Sequence, residues 1–154
     1  MTINEALTKQ SLIVALKFKD KDNELSKELM VKIMKARIQL NKVRAEFEKD
    51  LQEAANGFQT EDFKKLQSKQ KRTKKEEDEF QDMINKINSE MNEFISKYVQ
   101  DEASNVGDIS FTDKEYEELI PINADVETDF NGIKLNGPDF LETIYNIFVK
   151  EDKK

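Results

Sequence analysis

The chain has 154 residues, which is the length of one ordinary domain. Hydrophobic and charged residues each make up 37% of it, and the formal net charge is −7, a balance that excludes full disorder and favours long helices. Cysteine, histidine and tryptophan are absent, which excludes disulfides, zinc held by thiolate or imidazole, and nucleophilic catalysis by Cys–His or Ser–His groups.

The first segment, residues 1–16, lacks the basic start and the small-residue cleavage site of a signal peptide. No apolar run approaches the roughly 18 residues that a membrane span requires. We therefore expect a protein that stays in the compartment where it is made, or is packaged there.

The first predicted helix spans residues 3–18, with Thr2 and Glu5 forming a capping box at its start. Its apolar face comprises Ile3, Leu7, Leu12, Ile13 and Leu16. The polar run 20–23 then predicts a turn before the next helix.

The second predicted helix spans residues 24–56, because its apolar residues recur with a mean spacing near the 3.6 residues of a helical turn. The stripe comprises Leu25, Leu29, Ile33, Ala36, Leu40, Val43, Phe47, Leu51 and Ala54. Met30, Met34 and Ile38 widen it, so the first half of this helix should contact more than one neighbour. Gly57 is predicted to end the helix.

The third predicted helix spans residues 61–103, with Thr60 as its N-cap. Its apolar positions alternate by three and four residues: Phe63, Leu66, Phe80, Ile84, Ile87, Met91, Phe94 and Tyr98. No strongly apolar residue lies between Leu66 and Phe80. The sequence therefore leaves open whether residues 67–79 continue the helix or unwind as a charged arm.

Antiparallel pairing of the two long helices about Gly57 would bring specific apolar residues together. The predicted pairs are Ala36 with Phe80, Ile33 with Ile84, Leu29 with Ile87, and Leu25 with Met91. We therefore predict a mainly α fold built on a long antiparallel α-helical hairpin, similar to a coiled coil, within a helical region of residues 1–103.

Residues 108–150 predict a small C-terminal α/β cap. Residues 109–111 favour a short strand, and a capping box from Thr112 to Glu115 opens a short helix that Pro121 should end after Ile120.

A β-hairpin and a last helix complete the predicted cap. Asn131-Gly132 predicts a type I′ turn between strands at 126–130 and 133–135. Gly137 and Pro138 open the final helix, and the tail 151–154 is expected to fray.

A basic run lies inside the third predicted helix: Lys64, Lys65, Lys69, Lys71, Arg72, Lys74 and Lys75. Such a run is typical of phosphate binding. However, Glu76–Glu79 follow at once and neutralise it through i,i+4 pairs, and no aromatic residue is interleaved to stack on bases. We expect a solvated charged face and no nucleic-acid partner.

The C-terminal third is acidic, with 14 Asp/Glu against 5 Lys in residues 101–154. Asp125, Glu127 and Asp129 alternate, which in a strand places them on one face. Neither the EF-hand spacing nor a Gly-centred acidic loop is present, so no metal site is expected, and no constellation predicts a cofactor, a small-molecule substrate or an enzyme.

The order of parts resembles small helical-hairpin proteins from the structural and assembly regions of tailed bacteriophages. The resemblance rests on the helix containing Arg37–Val43 and Phe47–Lys49, the charged helical return, the Ile109–Phe111 and Glu115-Tyr116 segment, and the β-hairpin. It covers roughly residues 24–135 at the level of architecture, and it implies a virion component or assembly factor located in the virion or the host cytoplasm.

Our first hypothesis is a non-enzymatic structural protein that packs helices against other subunits, as a homo- or hetero-oligomer. The candidate interface residues are Met30, Met34, Leu40, Val43, Phe47, Phe140, Tyr145 and Phe148. Two alternatives remain: a coiled-coil chaperone that grips client proteins on its apolar face, and a nucleic-acid accessory protein that uses the basic run 64–75.

Overall fold

The computed structural model describes residues 1–150, so the predicted frayed tail 151–154 lies outside the described residues. About two-thirds of the described residues are helical. The elements are α1 (Ile3–Ile13), α2 (Lys27–Phe58), α3 (Glu61–Ser68), α4 (Lys74–Tyr98), α5 (Asp113–Asn123), β1 (Glu127–Phe130), β2 (Ile133–Asn136) and α6 (Gly137–Phe148). Within this part of the chain, no helix combines the length and the apolar character of a membrane span.

The chain folds into two compact units. Unit 1 contains Met1, Ile3–Arg44 and the residues from Ala103 on, and unit 2 contains Thr2 and Ala45–Glu102. The first part of α2 thus belongs to unit 1 and the remainder to unit 2. This division differs from the predicted one, because the C-terminal cap shares its core with α1 and with the first half of α2.

The core of unit 1 joins four helices. Its most deeply buried side chains are Leu12 and Ile13 of α1, Leu29, Ile33 and Leu40 of α2, Leu119 and Ile122 of α5, and Phe140, Ile144 and Phe148 of α6. The apolar stripe in the first half of α2 was predicted to face the third helix. It is instead buried against the cap and α1, which present more apolar surface than one amphipathic helix offers.

Helix α1 ends at Ile13, five residues earlier than predicted. Arg37 of α2 donates hydrogen bonds to the backbone carbonyls of Ile13 (3.2 Å) and Leu16 (2.5 Å). The side chain of Asn123 accepts a hydrogen bond from the backbone N–H of Lys17 at 2.7 Å. These distant side chains satisfy the backbone groups that a longer helix would have paired internally.

Helices α2 and α5 both pass through residues that were predicted to stop them. Gly57 lies inside α2, which ends at Phe58. Pro121 lies inside α5, which continues to Asn123. Pro121 removes one backbone donor, but burial of Ile122 and of Asn123 stabilises the last turn, and the Asn123 amide donates to the Leu119 carbonyl at 2.9 Å.

The predicted strand at 109–111 is reduced to a single parallel bridge between Phe111 and Val149. The backbone N–H of Phe111 donates to the carbonyl of Phe148 at 2.8 Å, and the two rings lie 5.2 Å apart. The residues on either side of Phe111 form no further strand pairing. This segment is therefore an extended chain that contacts the end of α6.

The predicted β-hairpin is confirmed. Strands β1 and β2 pair antiparallel, with Phe130 opposite Ile133. Asn131 has φ of 51° and Gly132 has φ of 78°, as a type I′ turn requires. Gly137 then opens α6, and its N–H donates to the Val126 carbonyl at 2.9 Å.

Unit 2 resolves the question that the sequence leaves open about residues 67–79. The helix breaks at residues 69–73 and restarts at α4. Thr73 caps α4: its hydroxyl accepts from the backbone N–H of Glu76, and the Glu76 carboxylate accepts from the backbone N–H of Thr73. The chain therefore turns here, well beyond Gly57.

The position of this turn changes which side chains meet in unit 2. Phe63 of α3 stacks on Phe80 with ring centroids 5.2 Å apart, and Phe47 of α2 lies 5.6 Å from Tyr98. The predicted pairing of Phe80 with Ala36 is therefore wrong, as are the three pairs in the same register. Leu25, Leu29, Ile33 and Ala36 all belong to the core of unit 1.

Candidate functional site

Helix α4 is amphipathic, yet none of its side chains is fully buried. Its eight apolar or aromatic residues are all half-buried: Phe80, Met83, Ile84, Ile87, Met91, Phe94, Ile95 and Tyr98. In all of unit 2, only Phe63 and Leu66 are buried. A 25-residue amphipathic helix normally buries its apolar stripe. The apolar face of α4 in unit 2 is therefore only partly covered by the rest of the chain.

Two adjoining cavities mark this uncovered face. One has a volume of about 390 Å³ and the other about 250 Å³, and both are lined by Phe58 and Glu90. Together they form an open groove along α4. We call it the α4 groove, and its apolar floor consists of Phe58, Met83, Ile87 and Phe94.

The rim of the α4 groove is charged and exposed. Lys86 lies 4.0 Å from Glu90, and Lys97 lies 2.9 Å from Glu93, each pair one helical turn apart. The hydrogen bond from Lys97 lowers the pKa of Glu93, so this carboxylate stays ionised at neutral pH. An apolar floor with a polar rim is the usual anatomy of a protein–protein interface.

Aromatic contacts hold both ends of α4 in place. At one end the Tyr98 hydroxyl donates to Asp50 at 2.6 Å, and its ring contacts Phe47 and Phe94. Burial and the nearby Asp50 carboxylate raise the pKa of Tyr98 to about 12. At the other end Phe80 stacks on Phe63. The groove lies along the part of α4 between Phe80 and Tyr98.

The predicted basic run surrounds the break between α3 and α4. Lys69 pairs with Glu76, and Arg72 pairs with Glu77 at 3.1 Å while its guanidinium lies 4.0 Å from the centre of the Phe80 ring. The other five cations form no ion pair in the described part of the chain: Lys64, Lys65, Lys71, Lys74 and Lys75. The predicted neutralisation by Glu76–Glu79 thus reaches only two of the seven.

The structure separates the predicted interface residues into three groups. Leu40, Val43, Phe140 and Phe148 are buried in the core of unit 1, so they have no surface to offer another subunit. This corrects their assignment to an interface. The protein's own core covers them, because α2 packs directly against the cap.

The remaining predicted interface residues are half-buried or exposed. Met30 packs against the core, Tyr145 contacts Tyr116 with centroids 5.1 Å apart, and Phe47 contacts Tyr98. Met34 is 51% exposed. It shares one face of α2 with Val31, which the sequence analysis missed, and with Ile38. These three residues form a smaller apolar stripe within unit 1.

The sequence analysis assigned Ile87 to an internal seam, placed Phe94 among the apolar positions of the third helix, and did not single out Met83. The sequence did carry one signal of an open face, which is the number of apolar stripes compared with the number of helices that could cover them. Residues 45–102 contain long apolar stripes but only enough helix to cover each stripe from one side. That imbalance indicates an open face before any coordinate is known.

The acidic residues of the cap do not form a site. Asp125 pairs with Lys17 at 3.1 Å, and Glu127 lies 3.7 Å from Lys134. Within residues 1–150, no group of three or more acidic side chains is placed to hold a metal ion.

A cavity of about 570 Å³ lies in unit 1 beside Lys9. Burial lowers the pKa of Lys9, and its ammonium donates to the Ile109 carbonyl at 2.7 Å.

The chain matches no protein-family model, no curated protein and no solved structure. Its own geometry therefore carries the functional argument.

Proposed function

We propose that this chain is a non-enzymatic interaction protein that packs the open face of unit 2 against helices of another subunit. In this proposal the second half of α2 and α3 run antiparallel to α4 as a helical hairpin, and the partner completes a bundle. The contacts of Phe47 with Tyr98 and of Phe63 with Phe80 support the antiparallel direction. The observation that carries the proposal is the uncovered α4 groove.

The size of the groove indicates how tightly it would bind. Full burial of one large apolar side chain contributes about 1.5–3 kcal/mol, so covering four half-buried ones contributes about 4 kcal/mol in total. Loss of translational and rotational freedom on association costs roughly 4–15 kcal/mol. The groove therefore needs further contacts, or many copies in one assembly, to form a lasting complex.

Repeated copies fit the setting that the bacteriophage resemblance implies. In a symmetric particle, or in an assembly intermediate of one, each subunit needs only modest affinity because neighbouring contacts act together. We therefore extend the proposal to a virion component or a virion-assembly factor.

One observation favours a second candidate, a nucleic-acid accessory protein. Lys64, Lys71 and Lys74 are among five cations near the α3–α4 break without ion pairs. Phosphate binding there would be strongly salt-dependent. Against it, the aromatic ring beside the α3–α4 break, Phe80, is already stacked on Phe63 and covered by Arg72, so it has no free face for a base.

The test compares Ile87→Lys with Asn88→Lys. Ile87 lines the α4 groove, whereas Asn88 is exposed on the neighbouring face of the same helix. Light scattering after size exclusion gives the solution mass against the 18.0 kDa of one chain. Binding of an apolar fluorescent dye reports any groove that remains open.

If the wild-type chain self-associates, we expect Ile87→Lys to abolish that self-association. If the wild-type chain is a monomer, we expect Ile87→Lys to abolish its dye binding. Asn88→Lys should leave both properties unchanged. A cooperatively folded wild-type monomer that binds no dye would refute the proposal. Suppression of aggregation of unrelated unfolded proteins, lost in Ile87→Lys, would favour the chaperone alternative instead.

A further inference from the structure

Charge is distributed unevenly along unit 2. Residues 64–79, which we call the tip, carry seven basic and four acidic side chains. Residues 45–53 and 90–102, which we call the acidic end, carry eight acidic and two basic ones. The unit therefore has a positive end and a negative end.

The two charged regions lie at opposite ends of α4. The tip contains the break at 69–73 where α4 begins, and Tyr98 at the other end of α4 contacts Phe47 and Asp50 of the acidic end. The 25 residues of α4 place its two ends about 37 Å apart. A partner with the reverse charge order along a similar length would complement this face.

The larger cavity of the α4 groove lies near the middle of α4, and the smaller one reaches into the acidic end. The central residue of Lys74–Tyr98 is Lys86, and Ile87 follows it on the floor of the groove. A two-fold axis passing through the centre of a helix gives the longest antiparallel overlap with a copy of itself. The apolar floor is therefore where a self-complementary contact needs its core.

Resting on the proposed function, we infer that the open face of unit 2 takes a second copy of this chain in antiparallel orientation. The two α4 grooves face each other around Ile87. The tip of each copy lies beside the acidic end of the other.

The area of this face suits a dimer. A face two helices wide and about 37 Å long covers about 700 Å² per copy, close to the ~800 Å² per partner of a standard interface. A parallel dimer would bury the same area but would place tip beside tip and acidic end beside acidic end. Repulsion between like charges disfavours that arrangement.

The test uses reciprocal charge reversal in the full chain. The tip variant carries Lys71→Glu, Lys74→Glu and Lys75→Glu. The acidic-end variant carries Glu46→Lys, Glu48→Lys and Glu53→Lys. These six side chains are exposed and form no ion pair, so their reversal leaves the fold intact.

Analytical ultracentrifugation at low salt measures the dimer dissociation constant of each variant. We expect each reversal alone to weaken dimerisation by tenfold or more. A chain that carries all six substitutions should regain part of the affinity lost in the tip variant, because its acidic end then has no net charge and no longer repels the reversed tip. The matched control reverses Lys19, Lys21 and Lys27 of unit 1 and should not change the dissociation constant.

A dimer that is insensitive to both reversals, or a six-substitution chain that dimerises no more tightly than the tip variant, would overturn the antiparallel arrangement. A wild-type monomer at all concentrations would overturn self-pairing. If that monomer still binds the dye in a manner lost in Ile87→Lys, the proposed function survives with a different partner; if it binds no dye, the proposed function fails as well. A monomer that binds a short DNA duplex through the tip lysines also overturns the inference.

Discussion

Asn123 is the only buried polar side chain among residues 1–150, and it connects two parts of unit 1. It accepts from the Lys17 N–H at 2.7 Å and donates to the Leu119 carbonyl at 2.9 Å. Its amide also reaches the Lys17 carbonyl at 3.4 Å. The loop after α1 is thus tied to the end of α5 by one side chain.

We expect Asn123→Ala to lower the free energy of unfolding by about 2–3 kcal/mol, because the Lys17 N–H loses its partner and the buried Asn123 side chain is removed. Urea unfolding followed by circular dichroism measures the change. Asn41→Ala is the control, since Asn41 is exposed and bonds only to Gln10; it should cost at most about 0.5 kcal/mol. Equal effects of the two substitutions would contradict the structural role of Asn123.

Glu115 links α5 to α2 through its charge. Burial opposes its ionisation, but hydrogen bonds from Lys32 (2.7 Å) and from the Thr112 N–H (3.0 Å) prevail and lower the pKa of Glu115 below 4.5. The unfolded chain therefore binds a proton here at a higher pH than the folded chain does. The stabilisation is complete above pH 4.5 and is lost as the pH falls through the lowered pKa.

Glu115→Gln should lower the free energy of unfolding at neutral pH by about 1 kcal/mol or less. The difference from wild type should shrink as the pH is lowered below 4.5. Urea unfolding at a series of pH values measures it, with Glu117→Gln, exposed on the same helix, as the control. A difference that is independent of pH would show that packing, and not charge, is responsible.

At the scale of elements, two glycines have opposite roles. A Cβ on Gly137 would lie 2.1 Å from the Ala124 carbonyl oxygen, because α6 begins in close contact with the end of α5. Gly57 lies within α2 and has no atom within 4 Å of such a Cβ.

Gly137→Ala should lower the free energy of unfolding by about 2–3 kcal/mol through this overlap. Gly57→Ala should raise it by about 0.5–1 kcal/mol, since alanine favours the helix. Gly107→Ala, which meets no neighbour, serves as the neutral control. Thermal and urea unfolding measure all three; destabilisation by Gly57→Ala would contradict the continuous helix through residue 57.

Sequence signals within a few residues predicted several helix starts and the hairpin turn well, whereas Gly57 and Pro121 did not stop their helices. The Thr60 cap, the capping box at Thr112 and the Asn131-Gly132 turn are confirmed. The capping box formed by Thr73 and Glu76 follows the same sequence pattern, but the prediction missed it because it lies within a run of charged residues. Errors arose where a distant partner decides, as with Arg37 and Asn123 at the end of α1.

At the scale of the whole molecule, the two units differ in how much they bury. Unit 1 has a continuous apolar core, whereas unit 2 buries only Phe63 and Leu66. Few buried contacts make local opening easy. The two halves of α2 should therefore differ in stability although they form one helix.

Amide hydrogen exchange read by mass spectrometry tests this difference. In dilute protein, amides of α4 should exchange at least about tenfold faster than those of α2 between Leu29 and Val43. Raising the protein concentration should slow exchange in α4 selectively, and Ile87→Lys should remove that slowing. Equal protection of the two segments in dilute protein would show that unit 2 is stable without a partner.

The sequence by itself determined the mainly helical composition, the β-hairpin and most helix starts. Each depends on local backbone chemistry: helix periodicity, side-chain caps and the positive φ that Asn131 and Gly132 adopt. It also identified which residues form apolar stripes, because periodicity is visible without any partner.

Only the tertiary structure decided what each stripe contacts. From the sequence, the apolar stripe of α2 could face either α4 or the cap. Ile33 is buried in the same core as Phe140 and Ile144, because the surface that offers more apolar area takes the stripe. The sequence likewise could not show the open α4 groove. How far Ile87 is buried depends on how many helices surround it and not on its neighbours in sequence.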